Sequence, residues 1–305
     1  MDVPDIVERY EGNPILTPAD IPGGANSVFN SAVAKYQGKY LAILRVERRD
    51  GLTDMMLAES RDGIKFEVLR EILAPEEEPW LTYEGAWYDP RLTQIGETYY
   101  VAYCIENEFG VQCSLAQTTD FETFEKVAIL TEPNNRNVVL FPEKVRGLYW
   151  RLDRPFTSNE QRSNIWSATS PDLIHWGNYR AVLAARPFNW DGWKVGAGAP
   201  PIRTEEGWLE IYHGVKKTAG GMVYRLGVVL LDLEDPSRVV RRADNYIMAP
   251  REDYERVGDV PNVCFINAAI LEEDGAVRMY YGGADTVLCL ATAKLDDLVD
   301  FALKY

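Results

Sequence analysis

The chain is poor in histidine, poor in cysteine and short of positive charge, and each shortage removes a class of function. Its two histidines, His175 and His213, form no H-E-x-x-H pair, which argues against a zinc site built on imidazoles. The four cysteines (Cys104, Cys113, Cys264 and Cys289) make no C-x-x-C and are too sparse for a disulfide scaffold, so buried, reduced thiols are expected. Lys and Arg number 32 against 47 Asp and Glu, a net charge of −15, which disfavours nucleic acid and anionic membranes as partners. No stretch reaches the ~18 uninterrupted apolar residues of a membrane span. The start, MDVPDIVERYEG, has no apolar signal-peptide core, so a cytoplasmic location is expected. No G-x-S-x-G and no P-loop is present, and in GAGAPP the proline pair denies the Gly-x-Gly the helix that a dinucleotide fingerprint needs. Neither a metal nor an organic cofactor is indicated.

What the chain does have is repetition. Of its 305 residues 46% are hydrophobic and 11% aromatic, enough for a sizeable core, and the apolar residues recur in five similar copies. Each copy runs from an apolar segment to a turn glycine, then an aromatic and β-branched strand, then a strand ending in small or polar residues. VFNSAVAKYQGKYLAILRV with MMLAESRDGIKFE is the first copy; WYDPRLTQIGETYYVAYC with QCSLAQTTDFETFE is the second. The third is VVLFPEKVRGLYWRLDRPF with IWSATSPDLIHW, the fourth APPIRTEEGWLEIYHGV with RLGVVLLDLEDPSRV, and the fifth FINAAILEEDGAVRMYYGGA with LCLATAKLDDLVDF. Gly38, Gly96, Gly147, Gly207 and Gly275 are their turn glycines. Period-2 alternation without long 3.6-residue periodicity gives about four short strands per copy. Residues 1–305 therefore read as a single all-β domain, a five-bladed β-propeller with an axial active site, at roughly 60 residues per blade. A β-sandwich would not account for the S-x-D or T-x-D turn that recurs before an aromatic residue.

Polar residues in the expected inner strands mark the axis: Asn30 and Ser31, Asp89 and Arg91, Arg136 and Asn137, Lys194, and Asn267. Asp89, in WYDPR, is either a candidate general acid walled by Tyr88 or a turn residue capping the backbone before Pro90. Arg136, Arg154, Lys194 and His213 read as cations at matching inner-strand positions of copies three and four. Their convergence suggests a pocket for inorganic phosphate or a phosphorylated ligand, against the alternative of separate surface ion pairs. Tyr88, Tyr224, Phe265 and Asp285 lie near blade ends, where aromatic faces and a carboxylate suit sugar rings. His175, in DLIHW, reads as an outer-turn residue.

The motifs FNSAV, YDPR, NRNVVLFPEKVRG, RLDRPF, SPDLIHWGNYR, KVGAGAPPI, GWLEIYHGV, LLDLEDPSRV, NAAILEEDG and YYGGADT together resemble glycoside hydrolase family 130 nearly end to end. That family holds β-mannoside phosphorylases and related mannosidases on five-bladed propellers. The resemblance implies that Asp89 is the catalytic acid and that Arg136, Asn137, Arg154, Lys194 and His213 form the phosphate pocket. It also implies a mannosyl shell of Asn30, Ser31, Arg45, Tyr88 and Asp285, with Phe265 and Tyr224 near the acceptor sugar. Many family members carry Glu where this chain has Tyr88, while others carry Tyr, a difference of subgroup. The hydrolytic members lack the complete cation set, which this chain keeps.

The expected activity is therefore inverting phosphorolysis of a terminal β-mannosyl linkage, of β-1,4-mannooligosaccharide or mannosyl-glucose type. Inorganic phosphate is the co-substrate, α-mannose 1-phosphate the product, and a homo-oligomer is possible by the same resemblance. Two alternatives stay open: a β-mannosidase using a base such as Glu143, and a non-catalytic carbohydrate-binding propeller. EEEPWLTYEGAW and KKTAGGMVYR are read as the loops that choose the acceptor.

Overall fold

The computed structural model describes residues 4–72, 86–156 and 162–305, so most of EEEPWLTYEGAW lies outside the described residues. After the two-residue strand β1 (Glu8–Arg9), blade I comprises β2 (Ser27–Tyr36), β3 (Lys39–Glu47), β4 (Thr53–Ser60) and β5 (Glu67–Glu71). Blade II holds β6 (Ala86–Ile95), β7 (Thr98–Asn107), β8 (Gly110–Thr118) and β9 (Glu125–Ile129). Blade III is built from β10 (Asn135–Leu140), β11 (Tyr149–Pro155), β12 (Ile165–Ser170) and β13 (Gly177–Leu183). In blade IV the inner strand is split into β14 (Lys194–Gly196) and β15 (Ile202–Arg203), which both pair with β16 (Trp208–Thr218), followed by β17 (Gly221–Leu231) and β18 (Val239–Arg242). A one-turn helix α1 (Asp253–Arg256) leads into blade V: β19 (Cys264–Leu271), β20 (Ala276–Gly283) and β21 (Val287–Lys294), with α2 (Leu295–Lys304) after it. The five antiparallel sheets stand in a ring, as the repeat predicts.

The five turn glycines all have positive φ, from 64° at Gly96 to 150° at Gly207, the region an L side chain resists. The S/T-x-D motif also has a mechanical role. In blades I to III the Asp carboxylate (Asp62, Asp120, Asp172) accepts two backbone N–H groups ahead of it, and the Ser or Thr hydroxyl accepts another. The turn from third to fourth strand is thereby closed by side chains. His175 belongs to this turn, 80% exposed with Nδ1 2.8 Å from Asp172.

Packing follows from the alternation. Each sheet feeds two cores, one shared with each neighbouring blade, and the buried apolar residues fall into five clusters, one per blade interface. On β3, Tyr40, Ala42, Leu44 and Val46 face blade V while Leu41 and Ile43 face blade II. The four cysteines are buried free thiols. Among the described residues no helix is long and apolar enough to cross a membrane.

Two expectations are corrected at the chain ends. The fifth copy supplies only three strands, and its fourth is β1, paired antiparallel to β21 through Glu8↔Thr292 and Arg9↔Ala291. KLDDLVDFALK ends in helix α2, whose Leu298, Val299, Phe301 and Ala302 pack into the blade IV–V core. A single short helix in an alternating chain leaves too little periodicity to detect. KKTAGGMVYR is likewise the arms of the β16–β17 hairpin instead of a loop, with Thr218 paired to Gly221.

Closure of the ring is held by Arg9, which donates to both oxygens of Glu255 at 2.7 and 3.0 Å, and to the carbonyl of Ala249. Glu255 is fully buried and also accepts from Tyr281. Replacing Arg9 with Ala leaves that carboxylate buried without its cation and is expected to cost about 3 kcal/mol, read as a lower urea midpoint.

Candidate active site

The axial site is made by irregularities in the inner strands. β2, β6 and β10 each shift register at one point, between Phe29 and Ala32, Tyr88 and Arg91, and Arg136 and Val139. Each shift holds a non-glycine residue at positive φ: Asn30 at 43°, Asp89 at 53° and Asn137 at 58°. Asn and Asp tolerate this conformation best, at a cost of about 1–3 kcal/mol each. These bulges turn three polar side chains into a cavity of about 280 Å³ on the axis. Asp89 thus lies at a bulge inside β6, where its carboxylate faces the cavity and binds Asn30 and Arg45, which corrects the reading of it as a turn residue capping the backbone before Pro90.

On one side of the cavity, Asp89 is 7% exposed and its Oδ1 accepts from Asn30 Nδ2 at 3.0 Å and Arg45 Nη1 at 2.7 Å. Burial works against its charge, but Arg45, Arg91 and the Asn30 amide outweigh it and hold the carboxyl below its ordinary range. Arg45 is sandwiched between the rings of Phe29 and Tyr88, at 4.2 and 4.9 Å. Gly282 lets the Asn30 amide come close, since a Cβ there would collide with it. Asp285 lines the same cavity, and burial, outweighing Arg45 and reinforced by the charge on Asp89, pushes its carboxyl up to about 7.

Opposite lie Arg136, Arg154 and Lys194, none of which has a carboxylate within ion-pair distance among the described residues. Their neighbours are aromatic: Arg136 lies 4.8 Å from the Phe156 ring, Arg154 5.4 Å from the same ring and Lys194 5.0 Å from Tyr224. The Nε groups of Arg136 and Arg154 and the Oδ1 of Asn137 are buried without hydrogen-bond partners. Burial, with Arg154 and Arg136 adding repulsion, pulls Lys194 down to about 7, and burial brings Arg154 down to about 10. Three cations that repel one another and line one cavity are suited to a multiply charged anion. Among the described residues none of the three forms a surface ion pair.

His213 does not line the cavity. It is fully buried behind Arg154, which donates to its Nε2 at 3.0 Å, and it packs against Phe265 with ring centres 4.4 Å apart. Burial, followed by Arg154, Arg91 and Lys194, holds the ring neutral, so it can accept that bond. A Cβ at Gly196 would collide with this imidazole and lie 3.1 Å from Arg154 Nη1, which explains the first glycine of GAGAPP.

The expected inner-strand placement is corrected for two cations. Arg154 and His213 sit on the second strands, opposite Arg136 and Gly196, as Arg45 sits opposite Phe29. Ser31 is also absent from the cavity; its hydroxyl donates to Phe29 O and braces the bulge. Tyr224 and Phe265 line the wall as expected, but Glu143 is 54% exposed and ion-paired to Arg203, outside the cavity. Sequence reasoning missed Thr53 and Glu106, which line the mouth; Glu106 accepts from the Tyr88 hydroxyl at 3.0 Å. Polar residues near the ends of second strands, as at Arg45 and Glu106, are the signal that finds it. Among the described residues no group of three or more His, Cys, Asp or Glu side chains could hold a metal ion.

The fold is a five-bladed propeller with a polar cavity where its blades converge. A family model described as beta-1,4-mannooligosaccharide phosphorylase matches residues 2–304, and the chain belongs to glycoside hydrolase family 130. It is 36% identical to a beta-1,4-mannooligosaccharide phosphorylase of Ruminococcus albus, over 98% of this chain and 92% of the relative. A beta-1,2-mannobiose phosphorylase of Listeria innocua is 32% identical over 96% of this chain and 97% of its own. The solved structure of a Listeria innocua beta-1,2-mannobiose phosphorylase with beta-1,2-mannobiose superimposes with a TM-score of 0.90, at 33% identity, covering 98% of this chain and 99% of that one.

Lys194 gives the site a pH signature. With its ammonium lost as pH rises through about 7, the KM for phosphate is expected to climb above neutrality. Lys194→Arg should flatten that climb, while Lys194→Ala should raise phosphate KM about 10- to 100-fold and leave the sugar KM within about threefold. The empty protein should also gain stability as pH rises from about 7 towards 10.5, because the unfolded chain then binds more protons than the folded one. Thermal melts across that range, with and without phosphate, measure this slope.

Proposed function

We propose that the protein is an inverting β-mannoside phosphorylase that releases a terminal β-mannosyl unit onto inorganic phosphate, giving α-mannose 1-phosphate. The observation that carries this reading is the trio Arg136, Arg154 and Lys194, the second buried and the other two half-buried, which line one cavity with a carboxylate and make no ion pair among the described residues. A neutral-sugar lectin has no use for such a pocket, and an oxyanion of two charges fills it. β-1,4-Mannooligosaccharides and mannosyl-glucose are the substrates assigned, in keeping with the 36% identical beta-1,4-mannooligosaccharide phosphorylase and a 33% identical 4-O-beta-D-mannosyl-D-glucose phosphorylase, of which the match covers 92% and 76%.

In the reaction, a phosphate oxygen attacks the anomeric carbon as its bond to the leaving oxygen breaks, and Asp89 supplies the proton that the leaving oxygen takes. Single displacement inverts the configuration. A hydrolase of the same stereochemistry needs a second carboxylate to activate water, whereas phosphate arrives as an anion and needs placing more than deprotonating. In the empty site Arg45 keeps Asp89 ionised; bound phosphate brings negative charge alongside it, and the sugar excludes water. Both raise its proton affinity, so the acid carries its proton in the ternary complex. The proton passes either directly or, by family resemblance, through the sugar's 3-hydroxyl. Asn30, Arg45, Tyr88 and Asp285 hold the mannosyl ring, with Tyr224 and Phe265 toward the acceptor.

Release of α-mannose 1-phosphate from β-1,4-mannobiose, mannosyl-glucose and β-1,2-mannobiose, each with and without phosphate, tests the assignment. Phosphate-dependent product is expected from the first two. Free mannose formed equally without phosphate would instead establish a mannosidase, with Glu106 as the cavity carboxylate placed to activate water. Asp89→Asn should lower kcat on the order of 10²- to 10⁴-fold while leaving the melting temperature near that of the parent.

A further inference from the structure

Beside the cavity lies a buried guanidinium that is held by backbone carbonyls. Arg91 is 1% exposed and forms no ion pair among the described residues. Its Nε donates to the carbonyl of Gly198 at 2.7 Å, its Nη1 to the carbonyl of Asp89 at 3.0 Å, and its Nη2 reaches the carbonyl of Ala197 at 3.5 Å. Phe265 covers it at 5.8 Å.

The two segments it joins belong to blades II and IV, which are not neighbours in the ring. One is the bulge that presents Asp89. The other continues from β14, which carries Lys194 and the Gly196 gap that admits His213 and Arg154. Each is secured again from its far side: Gly198 N–H donates to Glu210 Oε1 at 2.9 Å, and Asn267 Nδ2 donates to Pro90 O at 3.2 Å. Glu210 is fully buried, and burial pushes its carboxyl up to about 8, so it stands there as a neutral acid. Gly198 cannot be larger, because a Cβ would collide with Ile211 O.

A side chain that only filled the axis would be cheaper without charge. The guanidinium adds a planar fork of several donors in fixed geometry, which no ammonium or thioether reproduces. We propose that Arg91 is a positioning residue, a strut across the propeller axis that sets the distance between the acid on blade II and the anion-binding strand of blade IV. The proposal rests on the phosphorylase reading, in which that distance is the gap a phosphate and an anomeric carbon must share.

Arg91→Lys and Arg91→Met test it. Arg91→Lys keeps the charge but loses the fork, and kcat is expected to fall about 10- to 100-fold while the KM values for phosphate and mannoside stay within about threefold, since misplacement by about 1 Å costs turnover before affinity. Arg91→Met should lose more turnover, and the basic limb of its kcat profile should move to higher pH, because Asp89 has lost a nearby cation and keeps its proton longer. Arg91→Lys should leave that limb in place. In crystals of Arg91→Lys the separation of the Asp89 carboxylate from Lys194 Nζ should differ from the parent's by about 1 Å, a readout that holds even if the parent turns over none of the substrates tried. Parental kcat in folded Arg91→Lys, or an unchanged separation, overturns the proposal; if Arg91→Met does not fold, Arg91→Lys alone decides.

Discussion

Arg136, Arg154 and Lys194 repel one another at the small cavity they share, and the rest of the site can be understood as the means of holding them there. Aromatic faces of Phe156 and Tyr224 stabilise the cations without neutralising them, and His213 gives Arg154 an acceptor that carries no charge. An aspartate in any of these places would form a satisfied ion pair and close the pocket to an anion. Burial first, and this repulsion after it, lowers the proton affinity of Lys194, and the dianion of the proposed reaction would relieve the repulsion. Part of the free energy of folding is thus held in reserve for binding.

The propeller suits this because strands from every blade meet at one line, and a bulge in an inner strand turns a side chain toward that line without disturbing the apolar alternation that packs the blades. Asn30, Asp89 and Asn137 occupy the bulges, and the strands beside them contribute Arg45 and Arg154. Acid and anion pocket therefore come from different blades. Their relative position depends on the blade interfaces and on the contacts that cross the axis.

Much of this was legible in the sequence because it repeats. Five turn glycines and the S/T-x-D turns have fixed local mechanisms, so they announce themselves wherever they occur. Asp89, Arg136, Asn137 and Lys194 stand out as polar residues in inner strands. Arg154 and His213 follow the turn glycines Gly147 and Gly207, so the repeat already implied second strands for them; which inner-strand residues they face was not legible, since cross-strand pairing depends on register and a bulge alters the register by one residue. Glu106 and Thr53 were hidden for another reason: a polar residue at a strand end is the usual condition of an exposed turn. The split inner strand of blade IV follows from Pro200 and Pro201, which cannot donate to a ladder; the proline pair was noticed but read only against a helix.

The strand β1 belongs to the last blade although it is made first. Glu8 pairs with Thr292, so during synthesis the leading end of the chain must wait for nearly all of the remainder before its partner exists. Such a closure has one of the longest loops the chain can form and comes late on any folding route governed by chain entropy. Until then blade V lacks its outer edge strand, and a second molecule's Glu8–Arg9 segment could pair there as well as the chain's own. The buried Arg9–Glu255 pair is formed in either case, so at high concentration the choice between a closed ring and an exchanged pair rests on the connection from β1 to blade I, which passes through the bends at Gly23 and Gly24.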